Sequence, residues 1–415
     1  MVEPHRLNKR LMLPIFVIVS LDAAGAAAVL AAAPFYFEGL GATPVVLGVV
    51  LGAQALSQFV GAPLLGQLSD RFGRKRILQG CQIGAVAALC TLAAAQVVWL
   101  GLIACVLLGL SAANFSASAA YAADHSSPVQ RRQAIGLLSA GLGLGGVIGP
   151  SVAGWLSDLS LTASILGALT FSLAALALTT FWLKDTGAAG TTGRRRHGTA
   201  GPSSFRSLLT SSAVRVLIVV VLFHYFAYGM YSSELAVFLK DTFVWDGHAF
   251  GPKEFGYILT ADGVINILVQ LFLLKWLGRL MSERTLIVAV LGLLATGYLL
   301  AGVVTEIWGL ALAVLCVSTG VALARPTFMA ALSVHVPPDR QGVVMGASQS
   351  LVAATDVVTP VLAGLILGAR LYEAWIGAVV AIALAAALIA RFGLTERRPP
   401  RPDPVSLYEA QPPGV

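Results

Sequence analysis

GQLSDRFGRKR, residues 66 to 76, sets four cations and one acid between two apolar runs, each long enough to cross a bilayer. A connection this short and this charged belongs at a membrane surface. Outward from it, apolar segments fall at 11–37, 44–68, 77–96, 97–123, 133–156 and 161–183, and after a break at 213–239, 254–276, 285–304, 306–333, 343–368 and 371–393. In hydrocarbon every backbone polar group must be satisfied within the protein, so runs of this length read as helices. The expected architecture is an all-α integral membrane protein of twelve transmembrane helices in two pseudo-symmetric six-helix bundles.

The break carries TGAAGTTGRRRHGTAGPSS, a Gly/Ser/Thr-rich linker with an arginine cluster. The expected organisation is therefore a first bundle over 1–183, a linker over 184–212, a second bundle over 213–393 and a Pro-rich, disordered tail over 394–415. The composition agrees: 415 residues, 57% hydrophobic and 11% charged, with a mean hydropathy of +0.83, exclude a soluble globular domain. The first apolar run imitates a signal peptide, but at about 27 residues and with Asp22 inside it, it reads as a retained span.

The net charge of +7 is a topology signal rather than a nucleic-acid surface. With both termini and the even-to-odd connections on one side, 23 of the 27 Lys and Arg residues fall there, against Lys240, Lys253 and Arg370 on the other and Arg325 within a span. The positive side is the expected cytoplasmic side of a bacterial-type inner membrane. Cys81, Cys90, Cys105 and Cys316 all lie in apolar runs, without the spacing of a disulfide framework or a metal site. No G-x-x-x-x-G-K-[ST], G-x-S-x-G or H-E-x-x-H occurs, so neither ATP-driven transport nor an enzyme is expected, and no cofactor is implied.

The halves repeat. Pro128, Gly136, Pro150 and Gly154 recur as Pro338, Gly346, Pro360 and Gly364 at a constant offset of 210, and DRFGRKR at 70–76 has a weaker echo in GRLMSER at 278–284. Parallel halves of six spans are a secondary-transporter architecture with a midplane site between them.

Ionisable residues inside spans are costly and point to function. Asp22, Glu234, Asp262, Arg325 and Asp356 qualify. At 1.5 Å per residue, Asp22 lies roughly 16 Å from the positive end, Asp262 and Asp356 roughly 21 Å and Arg325 roughly 12 Å. Either a proton-carrying role or a static ion pair through Arg325 fits the last three. Glu234, near the far end of its span, is expected to approach water. Uncharged polar groups form helical stripes: Gln54 and Gln58 on the second span, Asn114, Ser118 and Tyr121 on the fourth, and Asn266 and Gln270 following Asp262 on the eighth. His224, Tyr228 and Tyr231 lead to Glu234 on the seventh, and Gln349 lies on the eleventh. These stripes either line a cavity or bond helix to helix. Gly141, Gly145 and Gly149, ahead of Pro150, make a smooth face that reads as a hinge or seal between halves.

These residues resemble the major facilitator superfamily, and within it the twelve-span drug:proton antiporters of the tetracycline-efflux type. The likeness runs from the first span to the twelfth. It is carried by the 66–76 stretch, by GLGGVIGPSVAG at 143–154 and by SQFVGAPLLG at 57–66, with AYAAD at 120–124, VWD at 244–246 and RPTFMAALSVHVPPDRQG at 325–342 in support. The resemblance implies that Gly66, Asp70, Arg71, Gly73 and Arg74 form a conformational latch, with Asp70 facing the start of the eleventh helix and Arg74 meeting Asp124. It makes Gly145, Gly149, Pro150 and Gly154 the antiporter helix motif. It implies Asp22 as the coupling acid, ahead of Asp356 and Asp262, and Gln58 as a contact to cargo. The chain departs from the pattern at three points: the family's fourth-span arginine falls at Cys105, and the exporters' third- and ninth-span acids fall at Ala88 and Leu294. Those departures argue against tetracycline itself. The implied activity is proton-driven efflux of a small apolar or amphipathic compound by a monomer. A symporter importing an anionic solute against Arg325, and a lipid flippase, are the rival readings.

Overall fold

The computed structural model describes residues 9–112, 114–124, 131–183, 212–336 and 341–394. The linker and the Pro-rich tail lie outside these, as do the side chains of Asp70 and Asp124. The twelve spans are Lys9–Gly39, Pro44–Phe72, Arg74–Ala93, the helix pair Val98–Leu110 and Asn114–Asp124, Arg131–Ser157, Leu161–Phe181, Ser212–Thr242, Pro252–Leu280, Glu283–Val303, Ile307–His335, Gln341–Gly368 and Tyr372–Gly393. They form an all-helical membrane fold of two six-helix bundles. Aromatic residues are exposed near both ends of the spans, including Trp99, Trp155 and Trp308 at one end and Trp182, Trp276 and Phe392 at the other, where amphipathic or bulky rings suit the interface.

Three boundaries differ from the expectation. The charged stretch is not a loop: the second helix runs through Asp70 to Phe72, and the third begins at Arg74. The whole reversal is made at Gly73, whose φ of 95° is a backbone region that a Cβ makes costly. The fourth span is two helices broken near Ala112, and the eighth contains a π-helical turn, Val269–Leu273, that shifts the register of the residues beyond it. Between the seventh and eighth spans, Val244–Trp245 and His248–Ala249 pair as a minimal hairpin around Asp246 and Gly247, both with positive φ.

Each bundle has its own apolar core. In the second half, Tyr231, Tyr298, Phe328 and Trp375 lie in one large cluster. In the first half, one cluster forms around Phe37, Leu89 and Leu92 and another around Ile15, Tyr121 and Leu138. The bundles meet through two crossings at the end that carries few cations. In one, a Cβ at Gly256 of the eighth span would lie 2.9 Å from the Pro150 carbonyl oxygen, and a Cβ at Gly154 would lie 3.3 Å from the Lys253 carbonyl. In the other, a Cβ at Gly48 of the second span would overlap the Pro360 carbonyl, and a Cβ at Gly364 would lie 2.5 Å from the Pro44 carbonyl. The pairs Pro150/Pro360 and Gly154/Gly364 are those of the 210-residue repeat. Pro44 and Pro252 occupy the same place at the start of their helices, so the two crossings are one contact used twice.

Polar ties reinforce this end. Lys240 pairs with Glu38, Lys253 pairs with Asp158, and the hydroxyls of Ser151 and Thr260 lie 2.9 Å apart. The ion pairs are solvent-exposed and of the kind that adds little stability, so the backbone crossings dominate closure.

Gly48→Leu and Gly256→Leu are therefore expected to destabilise closure at this end by about 1–3 kcal/mol each, a roughly 5- to 150-fold loss in the closed-to-open ratio. Spin labels at positions 38 and 240, measured by pulsed dipolar spectroscopy, report the ratio. Gly346→Ala, where an added Cβ meets nothing within 4 Å, is expected to leave it unchanged. A Gly48→Leu protein with the wild-type distance distribution would remove the crossing from its role as the seal.

Candidate functional site

The first span, LDAAGAAAVLAAAP from residue 21, is a run of small side chains around one acid. Small residues let neighbouring backbones approach, and they do so on two sides. Gly25 packs on Ser172 and the Ala168 carbonyl of the sixth span. On the fifth span Gly141 meets Phe16 and Ser20, Gly145 meets Ala23 and Ala24, and Gly149 meets Ala24 and Ala28. The smooth face made by these three glycines thus closes on the first span of the same bundle. The contact with the other half is made elsewhere round the helix, by Gly143 on Ile267, Gly146 on Gly263 and Pro150 on Gly256. Packing on both faces holds the first span between the fifth and sixth.

That placement brings Asp22 to a cavity of about 300 Å³. Its walls come from the first six spans and are mostly apolar, with Val29, Leu51 and Leu108 typical. The polar lining is Asp22, Gln54, Gln58, Ser111, Asn114 and Ser172, so Asp22 is its one charged group. Among the described residues no cation pairs with Asp22. Its oxygens accept instead from the side-chain amide of Gln82 on the third span, at 3.1 and 3.4 Å. Gln82 is fully buried, and its Oε1 has no hydrogen-bond partner among the described residues, nor has Asn114 Oδ1.

Of the candidates named from the sequence, Asp22, Gln54, Gln58 and Asn114 come together here. Tyr121, which shares a helix with Asn114, is buried instead beside Met12 and Ile15. Second-half candidates gather apart from this cavity. Asp262 lies close to Ser318 of the tenth span. Tyr228 lies within electrostatic reach of Asp262 and Asp356, and Tyr225 within reach of Asp356 and Arg325. Arg325 and Asp356 are both exposed, and Arg325 makes no ion pair within 4 Å to either acid among the described residues. A static pair through Arg325 is thus not formed.

His224 is enclosed by aromatic rings, with Tyr225 at 4.9 Å, Phe328 at 5.2 Å and Tyr228 stacked at 6.3 Å. Tyr231 stacks on Trp375 and tilts against Tyr298 inside the same core. Glu234 does not approach water: it is fully buried, and neither carboxyl oxygen has a hydrogen-bond partner among the described residues. The span's far end is capped by the second bundle's own core, which is why distance along the helix misjudged its exposure. Gln270 donates to Asn266 Oδ1 at 2.6 Å, which ties these two amides together across the start of the π turn. Gln349 is exposed on the eleventh span.

In the charged turn, Arg74 donates to Ser69 Oγ at 2.7 Å, Arg71 lies over the Phe72 ring at 5.8 Å and Gly66 has open space around it. The latch contacts expected of Asp70 and Asp124 fall on side chains outside the described ones.

Gln82 was not among the residues singled out from the sequence. The signal was present: an uncharged amide in the middle of a third span that is otherwise apolar from Ile83 to Ala88. It belongs to no four-residue polar stripe, and only the packing of the third span shows that it meets Asp22. Among the described residues no group of three His, Cys, Asp or Glu side chains is placed to hold a metal ion.

Comparison with known proteins agrees with this arrangement. The chain is 28% identical to a class C tetracycline resistance protein of Escherichia coli over 76% of this chain and 78% of that protein. It is 27% identical to multidrug resistance protein 2 of Bacillus subtilis (strain 168) over 77% of this chain and 79% of that protein. Among solved structures, a bacterial homologue of the lysosomal transporter Spinster, inward-facing and unoccupied, superposes with a TM-score of 0.69 at 15% identity, covering 94% of this chain and 96% of its own. The human organic anion transporter MFSD10 superposes at 0.66 with 21% identity, covering 92% and 99%, and these two structures speak to the fold alone. The Major Facilitator Superfamily model matches residues 15–355 and 247–412. With two bundles of six spans closed on each other by a repeated contact, and with sequence kinship to efflux proteins along most of its length, this chain belongs to the Major Facilitator Superfamily and is a membrane transporter rather than an enzyme.

Proposed function

We propose that the protein is a proton-coupled antiporter that exports a small apolar or amphipathic compound from the cytoplasm. The observation that carries this reading is the cavity around Asp22: one carboxyl group, no paired cation among the described residues, and mostly apolar walls. A carrier that exchanges cargo for a proton needs an acid that both can reach in turn. An acid locked in an ion pair does not serve, because its charge is held by the partner in every state. Among the described residues Asp22 is free of such a pair.

The physical cycle follows from the fold. With the positive-inside side taken as cytoplasmic, the crossings of Pro150 and Pro360 seal the external end, and the conformation is inward-facing. Cargo enters from the cytoplasm or inner leaflet and rests against Leu51, Leu108 and Val29, with Gln54, Gln58 and Asn114 reading its polar groups. The bundles then rock, separating at the two crossings, and an external proton on Asp22 displaces the cargo. Asp262 and Asp356 form a second acidic region in the other bundle, where Tyr228 links them electrostatically. The latch residues Gly66, Asp70, Arg71, Gly73, Arg74 and Asp124 act at the cytoplasmic end in the alternative state. The relatives named for tetracycline and multidrug resistance support efflux, and the apolar walls favour lipophilic cargo. A cavity whose one charge is negative disfavours anions.

The test is transport in proteoliposomes with an imposed pH gradient, using ethidium, a quinolone and tetracycline as probes. Asp22→Asn is expected to lower gradient-driven accumulation by at least about 10-fold, equivalent to about 1.4 kcal/mol or more of lost driving force, while Asp262→Asn and Asp356→Asn lower it less. Accumulation that persists at the wild-type level in Asp22→Asn, or after collapse of the pH gradient, would overturn the assignment. For cargo recognition, Gln58→Ala is expected to raise KM several-fold and leave maximal turnover within about two-fold, as for removal of a contact made equally before and during the crossing. An unchanged KM for every transported probe would exclude Gln58 from the cargo site.

A further inference from the structure

Among the described residues no cation answers Asp22, and the way Gln82 meets it suggests how a change in its charge is accommodated. The Gln82 amide nitrogen reaches both carboxyl oxygens, at 3.1 and 3.4 Å, while the amide oxygen on the same planar group is left without a partner. A primary amide carries two donors at one end and an acceptor at the other, and a half-turn about its last torsion exchanges them. A buried polar atom without a partner is costly, so such a group ordinarily settles into the orientation that satisfies both ends. Here neither orientation does. In the observed one the oxygen is orphaned, and after a half-turn the N–H₂ group takes that empty place. With the two penalties set against each other, the charge on Asp22 decides which orientation is held.

The surroundings leave that decision to Gln82. The second span presents Gln54 and Gln58 to the cavity, the fourth Ser111 and Asn114, the fifth Leu142 and the sixth Ser172, none of which titrates. On the third span, the neighbouring Cys81 is buried, and its thiol lies within electrostatic reach of Asp22. No Lys, Arg or His pairs with the acid among the described residues.

We propose that Gln82 is a positioning residue for proton coupling, an amide that turns over with the charge of Asp22 and takes the place of a counter-ion. When Asp22 is a carboxylate, Gln82 donates to it through Nε2. When a proton from cavity water binds Asp22, the new O–H donates to Gln82 Oε1. On release the proton returns to water and the amide turns back, so no other group gains or loses a proton. A fixed cation in the same place would hold Asp22 in one charge state. An amide follows it through both, and leaves the cavity without a positive charge that would repel a cationic cargo.

This inference rests on the reading of Asp22 as the coupling acid, and infrared difference spectroscopy separates the two. Full-length protein in proteoliposomes is titrated between acid and alkaline buffer without cargo, with the C=O stretch of the protonated carboxyl as the readout. A band lost in Asp22→Asn assigns the proton to Asp22. In Gln82→Met, close in length but unable to donate or accept, that band is expected to move to higher frequency, and the accompanying change in the side-chain amide signal to vanish. Gln82→Asn keeps the amide but draws it back by one carbon, so a smaller shift of the same sign is expected. It also serves if the methionine variant does not fold. A band at the wild-type frequency in a folded variant, with the amide signal unchanged, would overturn the role of Gln82 and leave Asp22 standing. A titrating band that survives Asp22→Asn would overturn both.

Discussion

The close crossing of backbones at the cation-poor end is the contact on which the rest of the arrangement depends. Gly256 lies on the Pro150 carbonyl and Gly48 on the Pro360 carbonyl, at separations where a Cβ has no room. Small-to-backbone contact of this kind is how helices associate strongly in lipid, where apolar burial drives little. Because the contact is made twice, around prolines 210 residues apart, it acts as a symmetric seal. Its two prolines lie inside helices, where each removes the backbone hydrogen bond to the carbonyl four residues earlier; at Pro150 that carbonyl is Gly146's, which Gly263 approaches, while the prolines' own carbonyls are the surfaces that Gly256 and Gly48 approach. Kink and seal are one device. The exposed ion pairs of Lys240 and Lys253 lie beside it and use two of the three cations on this side of the protein.

A second constraint acts inside the first bundle. The glycine stripe of the fifth span draws the first span close, and the sixth holds it from the other side at Gly25. The first span is thereby fixed with Asp22 turned to the cavity, within reach of the third span. The same fifth helix touches the other bundle around Pro150, so one helix connects the seal to the acid. The crossing and the backbone that carries Asp22 are thus joined through packed small residues rather than through a chain of polar contacts. This connection is short, and its small residues leave little side chain to absorb a shift.

Charge is distributed unequally between the bundles. Of the acids inside spans, the first holds Asp22, beside amides at an apolar cavity. The second holds Asp262, Asp356 and Arg325 within electrostatic reach of Tyr225 and Tyr228, with His224 packed against Phe328. Glu234, sealed in the core of that bundle, takes no part in either group.

The sequence by itself determined what depends on local chemistry. The long apolar runs imply the helices, since hydrocarbon permits little else; the cation bias orders the loops, and the 210-residue repeat divides the chain into like halves. Asp22, Gln54, Gln58 and Asn114 were legible because a polar group in an apolar run must have a reason. The tertiary structure alone decided which of those groups meet. Helical periodicity places a residue on a face but does not say which neighbour covers it. So the stripe at Gly141, Gly145 and Gly149 closes on the first span rather than on the other half, Tyr121 and Glu234 disappear into cores, and Gln82, part of no stripe, reaches Asp22. The turn at Gly73 shows the same limit from the other side: the charged stretch marks the membrane surface, yet helix continues through it, because charge sets where a segment lies and the backbone conformation of a single glycine sets where it turns.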